Sequence, residues 1–473
     1  MTVANSYAIP QCTRRAFLRT AGRTLAGTWL GLNAWHALAQ EPGQRPPRPP
    51  EGIQVVNPRG RVPVSLIIDD STCLVNLNKF AVPQFAVAWR GTQRYNQPWR
   101  TWPDEIPDSF VRQFADWAAQ HGIKGKYSVV PYPACVGRLD RLLPGWSLDE
   151  LDASLELVRT RVTPLFDIHP EMVTHTWVID LKTGQPYPER SPRFMENWDW
   201  TAGRSADELA AYMAYALDIL KNIGLPCEGI TTPGGFGNQV LAQLAQGTLQ
   251  ACRDVFRAEI PHYFRHAYDR GPQSVAPRVE YAAGLDGPDP KCVVSIIACT
   301  GDWTGGWDCS GPGQPDRFIT PDLANGRLVE IIQRAEPAIL LCHWTGIYFN
   351  GQLVGFKTLQ EVVRRLHARY DHLVWMKLSE IARYWAAREL TRITADNRFV
   401  RFHAPFAAPH FTVRIAKALK APPVLQTQGP PQALKEVASQ RALESGTWCR
   451  DAGGSLVCFD LPKGQSELQL PTT

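Results

Sequence analysis

A chain of 473 residues, 44% hydrophobic and 20% charged, is too long for one ordinary sandwich and suits one large α/β domain with an appendage. Its 50 basic and 45 acidic side chains leave a formal charge of +5 with both signs interspersed, which gives no case for a nucleic-acid partner. The 11 cysteines include no C-x-x-C pair, which excludes a thiolate zinc knuckle.

The N-terminus reads TRRAFLRTAG, with Arg14 and Arg15 ahead of Phe17 and Leu18. A weakly apolar stretch from Ala21 to Leu38 follows, and Ala37-Leu38-Ala39 precedes Gln40. The pattern resembles a twin-arginine export signal over residues 1–39, which implies recognition by that export machinery and a periplasmic or secreted mature protein. Arg23, Asn33 and His36 interrupt the apolar stretch, so no stable membrane anchor is expected there or elsewhere. Residues 40–52 are proline-rich and predict an extended, unpacked linker.

Strand and helix signals then alternate. VPVSLIIDDST is an apolar run ending in Asp69 and Asp70, the pattern of a central parallel strand with carboxylates at its C-terminal mouth. A helix is expected from Asp108 to Gly122, with Phe110, Phe114 and Trp117 on one face, and KGKYSVVPYP is the next strand. Ser147 with Glu150, and Ser205 with Glu208, are capping boxes that start two further helices. LFDIHPEMVTHT, GITTPGG, KCVVSIIACTGDW and PAILLCHW supply later strands, and helices from about Leu359 and Ser379 flank LVWMKLS. This rhythm predicts a parallel sheet, closed or nearly closed, over residues 53–389. From 390 to 473 short alternating runs between prolines predict a small β-rich, sandwich-like domain. Its CRDAGGSLVC segment reads as a hairpin in which Cys449 and Cys458 are placed to bridge.

Polar sites follow the aspartate pair at strand ends: Glu171 and His175 in PEMVTHTW, a tight turn around Pro233 in TTPGGFG, Asp302 in TGDW, and His343 in ILLCHW. Their order resembles the polysaccharide deacetylase-like family of the glycoside hydrolase/deacetylase superfamily, from Val62 to Trp385. The resemblance implies a distorted (β/α) barrel and one divalent metal, of which Zn²⁺ suits the donor types best. It implies Asp70 and His175 as metal ligands, Asp69 as general base and His343 as general acid. The family's second histidine corresponds to Ile179 and its base-orienting arginine to Thr231, so His169, Asp180 and Asp199 are the candidates to complete the metal set, with His169 first among them. Pro233, Asp302, Trp303, Trp307 and Trp344 are the expected substrate contacts, since indole faces stack on sugar rings. The implied activity is hydrolysis of a carbohydrate substituent, most simply an acetyl group. Two alternatives stay open: glycoside cleavage on the same barrel, and a carbohydrate-binding protein without catalysis.

Overall fold

The computed structural model describes residues 43–471, so the twin-arginine segment lies outside the described residues. The strand Val62–Asp69 is buried along its whole length, as its apolar run requires. It pairs in parallel with Ala338–His343, with Gly125–Val129 and, at its start, with Leu373–Trp375; Gly125–Val129 in turn pairs with Phe166–Pro170. Gly125 is required for this packing: a Cβ there would stand 1.9 Å from the Leu66 carbonyl oxygen. A second sheet places Gly229–Thr231, His262–Ala267 and Lys291–Ala298 in parallel, with Arg278–Ala283 antiparallel on its edge.

The two sheets meet at two seams. Glu171 and Thr231 form a parallel bridge at one. At the other, Cys299 N–H donates to the Ile339 carbonyl at 2.8 Å and Leu341 N–H to Thr300 Oγ1 at 3.0 Å. The chain is thus a mixed α/β protein with parallel sheets; among the described residues these strands pair as two separate sheets and not as the one closed barrel expected.

Helices follow the sequence signals. Asp108–Gln120 buries Phe110, Phe114 and Trp117, and both capping boxes form, at Ser147 and Ser205. The last helix of this region, Leu378–Leu390, buries Ile381, Tyr384 and Trp385. Its core is continuous with Ile67, Ile296 and Ile339 on one side and with Phe402, Phe411 and Phe459 on the other.

Residues 392–469 form one five-stranded sheet and four strands of a second, whose fifth strand is Ile53–Val55, paired with Ala408–Ile415. That strand belongs to the β-rich part rather than to the parallel sheets. The proline-rich segment is also packed: Gln44 N–H donates to Ala282 O and Arg45 to Val279 O. The Thr447–Asp451/Gly454–Leu461 hairpin forms as expected, but its two cysteines are free thiols. The register sets Cys449 opposite Leu456 and Cys458 opposite Thr447, so neither faces the other across the ladder. Among the described residues no helix is long and apolar enough to cross a membrane.

Candidate active site

Parallel pairing sets the site. In register, His343 lies directly opposite Asp69, so two adjacent strand ends deliver an imidazole and a carboxylate to one mouth. Lys126, from the next strand, is fully buried and lies on the face shared by Ile67 and Asp69. Its Nζ pairs with Asp69 Oδ1 and also reaches Ser128 Oγ at 2.7 Å and the Ile68 carbonyl at 3.2 Å. Burial pushes the Asp69 carboxyl up, and Lys126 works against that rise.

Asp70, Glu171 and His175 form a second group whose ligand atoms all lie within 4.8 Å of one another. His175 Nε2 is 2.7 Å from Asp70 Oδ1 and 3.4 Å from Glu171 Oε1, and Glu171 Oε2 accepts the Asp70 N–H at 2.7 Å. Yet Asp70 Oδ1 has no hydrogen-bond partner, because the imidazole edge approaches it out of line. Burial disfavours a charged His175, but Asp70 and Glu171 outweigh it and hold the ring well above the usual imidazole range. Two buried carboxylates and an imidazole converging on one point form a place prepared for positive charge. The donor set fits a divalent ion of the zinc type.

The backbone is held out of its easy conformations to make this group. Asp70 has φ of 60° and His175 of 61°, in the left-handed region, which costs about 1–3 kcal/mol per residue. Glu196 supports the His175 loop by accepting the N–H groups of Thr174 (2.9 Å) and His175 (2.6 Å) and the Tyr212 hydroxyl. Burial raises this carboxyl to about 7 despite those donors.

Across the same mouth, His343 Nδ1 lies 2.7 Å from Asp302 Oδ2, and Asp302 Oδ1 accepts from Thr304 N–H (3.0 Å) and Oγ1 (2.6 Å). Burial lowers the His343 pKa, but Asp70, Asp302 and Asp69 overcome it and raise the ring to about 10. Nδ1 being engaged, Nε2 is left for the cleft.

The cleft has a volume of about 340 Å³ and an aromatic wall. Phe85 meets Trp307 edge-on at 5.5 Å, and the Arg94 guanidinium stands 5.0 Å over Trp307 while pairing with Asp308 at 3.0 Å. Trp198, 42% exposed, packs edge-on against Trp89 at 4.6 Å on the rim. Tyr95, Asn197 and Arg265 complete the lining.

No family model matches the chain, and no curated protein matches it. Among solved structures, Puue allantoinase aligns with a TM-score of 0.35 at 12% identity, covering 74% of this chain and 96% of its own. The catalytic domain of GH30 xylanase C from Talaromyces cellulolyticus aligns with a TM-score of 0.28 at 10% identity, covering 89% of this chain and 100% of its own. Similarities this loose carry no weight for chemistry.

Several expected site residues lie elsewhere. His169 does not reach Asp70 and His175: it is fully buried below them, its Nε2 3.0 Å from His262 Nε2 and its Nδ1 3.4 Å from Thr231 Oγ1. His169 lies within the strand Phe166–Pro170, and Glu171, just past the end of that strand, takes the third place. Asp180 accepts the Lys182 N–H in a hairpin, and Asp199 heads a short helical turn.

Trp344 is 1% exposed among Phe110, Phe114 and Tyr127, with centroid separations of 5.0–5.2 Å, and is a core residue. Trp303 is 6% exposed and packs on Phe318 at 4.9 Å, under Arg317. Pro233 is buried in its turn, where its carbonyl accepts the Phe236 N–H, and its neighbours Thr232 and Gly234 line the cleft instead. Asp302 touches His343 rather than the cleft wall. Of the expected substrate contacts, Trp307 stands on the cleft. Lys126, Phe85, Arg94, Tyr95 and Arg265 were missed; a lysine inside an otherwise apolar strand, KGKYSVV, was the one legible signal among them.

Proposed function

We propose that this chain is an exported, metal-dependent hydrolase that removes a substituent, most simply an acetyl group, from a carbohydrate. The observation that carries the proposal is the convergence of Asp70, Glu171 and His175 beside Asp69 on one side of a cleft and the Asp302–His343 pair on the other. The two parallel sheets and their seams support a distorted barrel of seven strands, from Val62–Asp69 round to Ala338–His343. The arginine pair Arg14–Arg15 supports export by the twin-arginine route.

In this proposal Asp70, Glu171 and His175 hold the metal. A divalent ion bound there supplies Lewis acidity toward a carbonyl oxygen and acidifies water near neutral pH. Asp69, oriented by Lys126, accepts the proton of the attacking water. His343, held through Nδ1 by Asp302, presents Nε2 and returns a proton to the departing sugar oxygen or nitrogen. Trp307 and Trp198 offer indole faces to the sugar ring. Glycoside cleavage is less well supported, because it needs a pair of carboxylates, and with Asp302 on His343 and Asp70 and Glu171 on His175 no second one stands beside Asp69.

The test follows two products on acetylated oligosaccharides, acetate and new reducing ends, with zinc-loaded protein and with protein stripped by a chelator. Acetate without reducing ends, lost on chelation and restored by zinc, is the expected result. Reducing ends without acetate would transfer the proposal to glycoside cleavage, and neither product would refute hydrolysis of these sugars.

A further inference from the structure

Arg265 sits in the cleft with a charge that nothing in the protein answers. The strand His262–Ala267 pairs with Lys291–Ala298 so that Phe264 opposes Ile296 and His266 opposes Ile297, and Arg265 is the extra residue of a bulge. In a regular strand Arg265 would point to the opposite face from Phe264. The bulge re-aims it, and the two consecutive side chains line the same cleft. Its Nη1 donates to the Gly234 carbonyl at 2.7 Å, which fixes the guanidinium plane against the 231–235 turn.

The remaining edge is unused. Nε is buried without a hydrogen-bond partner, and Nη2 makes no hydrogen bond within the protein. Among the described residues no carboxylate forms an ion pair with it, in contrast to Arg94, whose charge Asp308 neutralises. Partial burial lowers the Arg265 pKa to about 10. Such a charge costs stability unless a ligand supplies the missing anion. Nη2 is the donor left to the cleft, where it can give a charge-assisted hydrogen bond to a carboxylate.

We propose that Arg265 is the anion-recognition residue of this cleft and that the substrate carries a carboxylate, as a uronic-acid ring does. The proposal rests on the hydrolase reading only in taking this cleft as the substrate site. It gives the cleft two poles, with the Asp70–Glu171–His175 group at one and Arg265 at the other, so that an acidic sugar enters in one orientation.

Calorimetric titration of the full chain with D-glucuronate and with its neutral methyl ester tests this without any turnover. The wild type should bind the acid roughly tenfold tighter, the scale of one charge-assisted hydrogen bond. Arg265→Gln should erase the preference while the melting temperature holds or rises, and Arg265→Lys should keep part of it. Equal binding of acid and ester, or no binding of either at tens of millimolar, would overturn the proposal, as would a preference that survives in Arg265→Gln. A fall in melting temperature with the preference unchanged would reveal an arginine that only braces the Gly234 turn. The two proposals fail separately. Selective glucuronate binding with no acetate released from any acetylated saccharide would remove the hydrolase and leave Arg265 standing. Acetate released alike from neutral and acidic sugars, with no binding preference, would do the reverse.

Discussion

Lys126 and Asp69 form a buried ion pair between adjacent parallel strands, at the base of the cleft. Lysine is almost never fully buried without a partner, so each charge depends on the other. The pair puts a cation beside Asp69 from the strand Gly125–Val129, while Thr231, on the strand Gly229–Thr231, contacts His169.

Removing one partner should therefore be worse than removing both. Lys126→Met should destabilise the fold by about 3–5 kcal/mol, because a buried carboxylate is left uncompensated. Asp69→Asn combined with Lys126→Met should recover part of that loss. Denaturant unfolding of the two single variants and the double variant forms the cycle, and strict additivity would mean that the pair contributes no coupling.

Metal retention separates Glu171 from His169. On the proposed metal site, Asp70→Ala, Glu171→Gln and His175→Ala should each leave the purified protein without a divalent ion, since each removes one of the three candidate ligands. His169→Ala should retain the ion and lose stability only, because its contacts are His262 and Thr231. Elemental analysis of the folded variants decides; a His169 variant that arrives metal-free would restore that histidine to the ligand set.

The contrast between His169 and Glu171 marks how far the sequence could be read. Strand identity and order were legible, because apolar runs such as LIIDD and AILLCH leave few alternatives, and Asp69, Asp70, His175 and His343 fall together at strand ends. Which side chain turns inward was not legible. His169 and Glu171 are two residues apart, a spacing that a regular strand would put on one face, yet Glu171, past the strand's end at Pro170, reaches the cleft and His169 does not. The same limit applies to Trp303 and Trp344, whose neighbours Asp302 and His343 reach the site while the indoles turn into the core. Arg265 was invisible because a bulge reverses its direction, and bulges leave little trace in periodicity.

The tryptophans give a clean separation of core from cleft. Trp344→Ala should cost about 3–5 kcal/mol in unfolding free energy, the usual range for an emptied indole site. Trp307→Ala, on the cleft wall, should raise KM with a smaller change in kcat and stability. Paired melting and steady-state measurements check both, and an unchanged KM in the Trp307 variant would take that indole out of substrate contact.

The final prediction concerns pH. His343 is held at about 10, against an ordinary value of 6.5, by carboxylates that overcome its burial. A raised histidine pKa keeps the ring protonated across the neutral range, and its contribution to stability is complete below about 6.5 and is lost as pH climbs toward 10. As a general acid it must be protonated, so kcat/KM should hold through neutral pH and fall on the alkaline side. Asp302→Asn removes one source of the lift and the Nδ1 anchor, so the alkaline limb should move to lower pH, with turnover reduced even on the plateau. Loading the site with zinc offsets the charge of Asp70, another source of the lift, and should move the limb in the same direction. An alkaline limb that stays in place in Asp302→Asn would remove His343 from the proton-donating role and leave the pair as a structural contact.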